Sequence, residues 1–232
     1  MPDSYYPEIR RLDLFAEMAE DQFAKLMRGS YIQNFPPQID MITEGDPSDF
    51  LHILLSGSVE LSSKWNNRET MMTTVRPVST FILAASINDA PYLMSARTLE
   101  KSRIVLIPSR DIRAAFAADH GFARAIVTEL AKRFRASVRC QKELKLRTSL
   151  ERLANYLLRQ QARQDGAQEF ELQLEKRKLA SFLGMTPENL SRAFKRLRAH
   201  GVTVNGSRIA ITDQAALVDF AKPSPLIDDI SI

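Results

Sequence analysis

The stretch Lys178–Arg198, KLASFLGMTPENLSRAFKRLR, decides the fold of the C-terminal part of the chain. A turn at Gly184 separates two short helical segments, because glycine has no Cβ and adopts turn conformations at low energetic cost. Thr186 is a preferred N-cap residue, and Pro187 suits the first position of a helix. The pattern therefore predicts a helix-turn-helix whose second helix begins at Pro187.

The second predicted helix has an apolar face and a polar face. Its apolar residues recur at i, i+3, i+4 and i+7 and form one buried stripe, namely Leu190, Ala193, Phe194 and Leu197. Its polar residues follow the same spacing about half a turn away, and we call them the recognition face: Glu188, Ser191, Arg192 and Lys195. An ordinary helical hairpin with a solvated charged face would show the same pattern, so both interpretations stay open at this point.

The recognition face carries the residue types that read DNA bases. An arginine can bond guanine O6 and N7 together, a glutamate can accept from cytosine N4, and a serine can serve either base. These roles suit Arg192, Glu188 and Ser191. The predicted phosphate contacts are Lys195, Arg196 and Arg198, and Thr186 is a further candidate DNA contact.

A predicted β-hairpin follows the second helix, and it disfavours the interpretation as an ordinary helical hairpin. In VTVNGSRIAI, residues 202–211, two short apolar runs flank Asn205-Gly206, which favours a type I′ turn. Helix, turn, helix and hairpin is the order of a winged helix-turn-helix. The segment resembles the C-terminal domain of CRP/FNR transcription factors, and its FNR branch carries Glu-x-x-Ser-Arg on the recognition helix, matched here by Glu188, Ser191 and Arg192.

Composition indicates a globular protein without a membrane span. The 232 residues are 44% apolar and 26% charged, and no apolar run approaches the length of a spanning helix. The N-terminal MPDSYYPEIRR lacks the apolar core of a secretory signal, so we expect a cytoplasmic location and no membrane partner. The single cysteine, Cys140, excludes an intrachain disulfide and also the four-cysteine iron–sulfur cluster of oxygen-sensing FNR proteins.

Positive charge is concentrated in two segments of the second half of the chain. Residues 176–208 hold eight Lys or Arg against the single Glu188, and residues 124–147 hold eight against Glu129 and Glu143. Such clustering on a chain of net charge +4 is typical of a dedicated nucleic-acid face. Double-stranded DNA is therefore the expected partner.

The N-terminal half is predicted to be a β-roll. After a helical lead-in over residues 8–28, with Leu12, Phe15, Phe23 and Leu26 buried, short apolar runs alternate with turn residues from Tyr31 onward. Asn66-Asn67 is a predicted hairpin tip. The string from Glu44 to Leu61 resembles cyclic-nucleotide-binding domains. The fold class is therefore α+β, with a sensor domain at 1–119, a dimerisation helix at 120–147 and a winged helix-turn-helix domain at 148–232.

The predicted effector region departs from the cyclic-nucleotide pattern. A binder of that family has a Gly-Glu pair opening a short helix and an Arg that neutralises the phosphate. The matching residues 80–95, TFILAASINDAPYLMS, contain no Gly, Glu or Arg, and Tyr92 or Leu93 falls where the arginine should be. We therefore expect no cAMP binding, and either an apolar effector or a closed pocket.

The effector itself stays unknown at this stage. Haem is a candidate cofactor, because haem-sensing members of the superfamily exist, with His52, His120, His200 or Pro2 as conceivable ligands. Resemblance to the nitric-oxide-responsive NnrR/DNR-like branch follows by elimination, from an FNR-type recognition helix without cluster cysteines or a nucleotide cassette. No metal site is predicted.

The segment 120–147 is predicted to be one long helix with a dimerisation seam. We define the seam as the residues at 3-4-3-4-3 spacing, Val127, Leu130, Phe134, Ser137, Gln141 and Leu144, with Ile126 and Val138 beside them. CRP/FNR proteins dimerise through this helix, so the resemblance implies a homodimer. Packing of the helix on its own domain is the alternative. Cys140 lies near the seam and is expected to be a buried structural thiol.

The remaining segments complete the prediction. An amphipathic helix is predicted over residues 149–164 from their apolar spacing, and a strand over residues 169–174 from their alternation. A last helix is suggested over residues 213–221. The acidic tail from residue 223 is expected to be poorly ordered.

The predicted function is that of a homodimeric, effector-controlled transcriptional regulator that works with RNA polymerase. By resemblance to the FNR branch, it reads a palindrome with half-sites like TTGAT. Three alternatives remain. The first is an enzyme with an unrecognised active site, although the sequence contains no catalytic motif. The second is an architectural DNA-binding protein without an effector. The third is a cyclic-nucleotide regulator with a divergent pocket.

Overall fold

A computed structural model describes residues 6–66, 68–172 and 174–229. The chain is α+β and divides into two compact units, Met1–Lys132 and Arg133–Ile232. Its helices are α1 Tyr6–Arg10, α2 Asp13–Ala16, α3 Glu20–Arg28, α4 Leu83–Asn88, α5 Ser109–Ala118, α6 His120–Leu146, α7 Ser149–Ala162, α8 Lys176–Phe182, α9 Pro187–Leu197, α10 Gln214–Ala221 and α11 Pro225–Asp228. Its strands are β1 Tyr31–Phe35, β2 Asp40–Ile42, β3 Phe50–Ser56, β4 Val59–Trp65, β5 Arg68–Val75, β6 Ser79–Phe81, β7 Ser95–Thr98, β8 Ser102–Pro108, β9 Glu169–Glu171, β10 Val202–Asn205 and β11 Arg208–Ile211.

Two antiparallel four-stranded sheets form the predicted β-roll of the first unit. Their strand orders are β1-β8-β3-β6 and β2-β7-β4-β5. The strand β3 is buried on both faces, which explains its nearly unbroken apolar sequence. Leu54 packs into the roll interior with Phe81 and Tyr92, whereas Leu51 and Ile53 pack against the helices outside the sheet.

The predicted helical lead-in consists of three short helices. The helices α1, α2 and α3 bury Phe15, Phe23 and Leu26 as predicted, but Leu12 is only partly buried. Phe15 stacks on Phe122 at the start of α6, with ring centroids 5.7 Å apart. This contact ties the lead-in to the long helix within the first unit.

The second unit is built around α7. Thr148 caps this helix in a capping box, in which its hydroxyl accepts from the Glu151 N–H while the Glu151 carboxylate accepts from the Thr148 N–H. The helix buries Leu150, Leu153 and Leu157 in a core shared with α8, α9, α10 and the wing sheet. The wing sheet has the order β10-β11-β9.

Strand and turn details of the wing differ from the prediction. The strand predicted over 169–174 is limited to β9, and Gln173 lies outside the described residues. The hairpin forms, but Asn205 pairs with Arg208, so the turn is centred on Gly206-Ser207 rather than Asn205-Gly206. Only Gly206 has a positive φ, at +61°, and a type I′ turn requires two such residues. The type I′ prediction was therefore wrong, whereas the hairpin was right.

The hairpin between β4 and β5 is also present. Trp65 pairs with Arg68, and Asn66 is left-handed at φ +47°. The second predicted tip residue, Asn67, lies outside the described residues.

One expectation about the second unit is overturned. The tail after residue 223 is not irregular throughout, because Pro225–Asp228 form α11 and Asp228 is held by two arginines. Cys140 is exposed on α6 in the single chain, as Phe134 of the seam is, so its burial near a dimer seam stays a prediction. No helix within the described ranges is long and apolar enough to cross a membrane.

Candidate nucleic-acid interface

The helix α9 presents the recognition face to solvent. Its apolar stripe, Leu190, Ala193, Phe194 and Leu197, is buried in the core of the second unit as predicted. Because the stripe is fixed against this core, the opposite side of the helix must point outward. Glu188, Ser191, Arg192 and Lys195 are all exposed there.

The turn before α9 is held by an arginine from α7. Gly184 is left-handed at φ +63°, which lets the chain reverse between α8 and α9. Arg152 donates from Nε to the Leu183 carbonyl at 2.9 Å and from a terminal nitrogen to the Arg147 carbonyl at 2.9 Å. Arg152 was missed from the sequence, because an arginine on an amphipathic helix gives no signal that it bonds backbone 31 residues away.

Thr186 begins α9 and shapes the charge of the recognition face. Its hydroxyl oxygen accepts from the Asn189 N–H at 3.2 Å, so it is the N-cap that the sequence predicted. The backbone N–H of Glu188 itself, the Thr186 hydroxyl and the nearby charge of Arg192 lower the pKa of Glu188. Glu188 is therefore an acceptor at neutral pH. A direct contact of Thr186 with DNA stays a prediction.

The residues predicted to hold phosphates lie at the C-terminal end of α9. Lys195 and Arg196 are in its last turn, where cations interact favourably with the helix dipole. Arg198 falls just after the helix, in a 3₁₀ turn that runs to His200, rather than on the helix itself. Among the residues that the structure describes, Arg192, Lys195, Arg196 and Arg198 form no ion pair, so their charges are available to a partner.

The predicted seam is largely exposed in the single chain. Val127, Phe134, Val138 and Gln141 are exposed on α6, and Phe134 shows 70% of its surface. Leu130 differs, because it is partly buried against the core of the first unit. Of the five residues just named, four thus lie on an exposed face of the single chain and Leu130 lies partly in its own domain. Ile126, predicted to lie beside the seam, is instead fully buried in the core of the first unit.

The effector region lacks the groups that would receive a phosphate. Ile82, not a glycine, adopts the left-handed conformation at φ +63° just before α4. The next residue, Leu83, is buried in the helical core of the first unit. Tyr92 is buried in the roll interior, where its hydroxyl donates to the Phe50 carbonyl at 3.3 Å, and Leu93 is exposed. Neither can replace the charge of an arginine.

The three histidines lie in different surroundings, and haem binding stays a prediction. His52 is 4% exposed, and its ring lies against Phe81 with centroids 5.1 Å apart, so neighbouring side chains occupy the space beside it. His200 stacks on Phe220 in the second unit at 4.2 Å, and His120 is exposed at the start of α6. Pro2 lies outside the described residues. Within the described ranges, no group of three His, Cys, Asp or Glu could hold a metal ion.

Two family models match the chain. A Crp-like helix-turn-helix domain matches residues 151–220, and a cyclic nucleotide-binding domain matches residues 32–119. The chain is 24% identical over 186 residues to the transcriptional activator protein anr of Pseudomonas aeruginosa, covering 78% of this chain and 76% of that protein. It is 23% identical over 220 residues to a CRP-like cAMP-activated global transcriptional regulator of Mycobacterium tuberculosis. This match covers 92% of this chain and 98% of that protein.

Solved structures show the same fold. FixK2 from Bradyrhizobium japonicum matches with a TM-score of 0.66 at 20% identity, over 84% of this chain and 98% of that chain. A CRP/FNR-family regulator from Eubacterium rectale matches with a TM-score of 0.71 at 15% identity, over 90% of this chain and 98% of that chain. The domain matches cover most of the chain in the order that the fold shows, with the DNA-binding helix-turn-helix after the β-roll. The chain is therefore a transcriptional regulator of the CRP/FNR superfamily.

Proposed function

We propose that the protein is a homodimer that reads a palindromic FNR-like site with half-sites like TTGAT. The observation that carries this proposal is the recognition face of α9, where Glu188, Ser191 and Arg192 are exposed at i, i+3 and i+4. This spacing lets the three side chains reach one stretch of major groove. The pattern is the one that the FNR branch carries on its recognition helix.

The uncovered face of α6 supports the dimer. Val127, Phe134 and Val138 recur along the helix at coiled-coil spacing and are exposed in the single chain. Apolar side chains of this size are favourably buried when a second copy packs against them. A two-fold dimer through α6 would present two recognition faces, and half-site centres about 10 base pairs apart would match them.

The effector is proposed to be something other than cAMP. The Mycobacterium tuberculosis relative is a cAMP-activated regulator, so the fold is compatible with such control in a relative. In this chain Leu83 and Tyr92 are buried, and residues 80–95 offer no Gly, Glu or Arg to a phosphate. Apolar replacement of a phosphate site favours an apolar effector or a closed pocket. Control of RNA polymerase by the DNA-bound dimer is part of the proposal.

The test compares Arg192→Ala with Lys195→Ala on a palindromic TTGAT site and on random DNA. Loss of a bidentate guanine contact should weaken specific binding by about 1–3 kcal/mol per subunit and leave random DNA almost unaffected. Loss of the phosphate contact in Lys195→Ala should weaken both and flatten the salt dependence. If Arg192→Ala weakened both DNAs by the same factor, Arg192 would be a phosphate contact and the assigned recognition face would be wrong.

A further inference from the structure

Four charged side chains from the end of α6, the residue after it, the last turn of α7 and the end of α11 meet, and we call them the junction cluster: Glu143, Arg147, Arg159 and Asp228. Both terminal nitrogens of Arg147 donate to Asp228, at 2.8 and 2.6 Å. Arg159 donates to Asp228 at 2.6 Å and to Glu143 at 2.9 Å. One carboxylate from the C-terminal segment therefore binds arginines from both sides of the junction.

The junction cluster is withdrawn from water. The side chains of Arg147 and Asp228 are 7% and 13% exposed, and those of Glu143 and Arg159 are 19% and 20% exposed. Two positive and two negative charges balance, as enclosed ions require. Burial alone raises the pKa of Asp228, but the bonds from Arg147 and the Ser224 N–H outweigh burial and lower it, so the carboxylate is charged.

The junction cluster connects directly to the helix-turn-helix. The backbone carbonyl of Arg147 accepts from Arg152, and the same guanidinium donates to Leu183 in the turn before α9. Leu144 of α6 lies beside that turn, because a Cβ placed on Gly184 would be 3.4 Å from its Cδ2 atom. Both ends of this path belong to the second unit.

We propose that Asp228 is a positioning residue for DNA recognition, because it holds the end of α6 at a set angle to α7. In a dimer, this angle sets the separation of the two recognition helices. The effect on helix separation rests on the proposed palindrome-reading dimer. Without Asp228, two enclosed arginines would have to share the single carboxylate of Glu143, which lies 2.9 Å from Arg159 and 3.8 Å from Arg147. The site would then hold an excess positive charge, so loss of Asp228 loosens the junction. The recognition face itself stays intact, because Asp228 touches none of its residues.

The first arm of the test is hydrogen exchange of the full chain without DNA. In Asp228→Asn, backbone amides around Arg147–Arg152 should exchange about tenfold faster, while amides in β3 should not change. Arg147→Lys keeps the charge but loses the bidentate geometry, and it should give an intermediate increase. The matched control is Asp219→Asn, which removes the same charge from an exposed position on α10. Unchanged exchange at the junction in Asp228→Asn would overturn the proposal.

The second arm measures DNA binding to palindromes whose half-sites are moved apart by one base pair. The ratio of affinities for the optimal and altered spacing should fall at least about threefold in Asp228→Asn and stay at the wild-type value in Asp219→Asn. Partial unfolding cannot produce this result, because it lowers both affinities equally. A wild-type ratio kept by Asp228→Asn would overturn the positioning role. If the wild type showed no spacing preference, the palindrome proposal would fail, and the exchange arm alone would decide whether Asp228 holds the junction.

Discussion

The stability of the first unit should decrease at mildly acidic pH because of His52. This side chain is 4% exposed in β3, stacked on Phe81 and edge-on to Tyr92, and its Nδ1 has no hydrogen-bond partner. Burial lowers the pKa of His52 from 6.5 to about 4, and the Phe50 carbonyl opposes this shift only partly. Because the His52 ring is buried in its neutral form, it binds a proton only at a lower pH in the folded protein than in the unfolded chain.

The sign and size of the effect follow from the two pKa values. Above pH 6.5 neither state binds the proton, so His52 imposes no penalty. Between pH 6.5 and about 4 the unfolded state gains the proton first, so stability falls as the pH falls. The full shift corresponds to about 3 kcal/mol, of which about 2 kcal/mol is lost between pH 7.5 and pH 5.

The assay is urea unfolding of the wild type and His52→Phe at pH 7.5 and pH 5, followed by circular dichroism. Phenylalanine keeps an aromatic ring beside Phe81 and removes the titrating group. The wild type should lose about 2 kcal/mol more than the variant between the two pH values. His120→Gln is the control, because His120 is exposed and its replacement should not change the difference. Equal pH dependence in the wild type and His52→Phe would refute the argument, as would an NMR titration of the His52 ring with a midpoint near 6.5.

Three further predictions concern the seam, the effector region and the helix cap. Phe134→Asp places like charges across the seam and should give monomers by light scattering, whereas Ala136→Asp on the opposite face of α6 should leave the dimer intact; a dimeric Phe134→Asp would locate the interface elsewhere. Calorimetry with cAMP or cGMP should show negligible binding, because residues 80–95 contain no Gly, Glu or Arg, and low-micromolar affinity would contradict the proposed effector class. Thr186→Ala should destabilise the second unit by about 1 kcal/mol through loss of the cap, with unchanged base preference; a relaxed preference would show that Thr186 contacts a base.

Local patterns predicted most of the elements because each pattern is set by neighbours in sequence. The stripe of Leu190, Ala193, Phe194 and Leu197 predicted both α9 and the direction in which its polar side faces. Thr186 and Pro187 predicted where this helix begins, and the structure confirms it. The turn type of the wing was predicted wrongly, because strand register rather than the Asn-Gly pair decides which residues form the turn.

Long-range contacts could not be predicted from these patterns. Nothing near Asp228 in sequence indicates that it binds Arg147, which is 81 residues away, and an acidic tail is more often solvated. The exposure of Cys140 in the single chain likewise depends on which element packs against that face of α6, and its burial in a dimer stays a prediction.

The sequence by itself determined the α+β class, the helix-turn-helix with its wing, the recognition face and the absence of a phosphate cassette, because periodicity, caps and residue chemistry are local properties. Only the tertiary structure decided that Tyr92 fills the roll interior, that His52 is buried without a partner for Nδ1, and that the tail joins the junction between α6 and α7. These features depend on which surfaces meet after folding. The residues next to a side chain in sequence do not determine which distant side chain it contacts, because only the folded chain brings the two together.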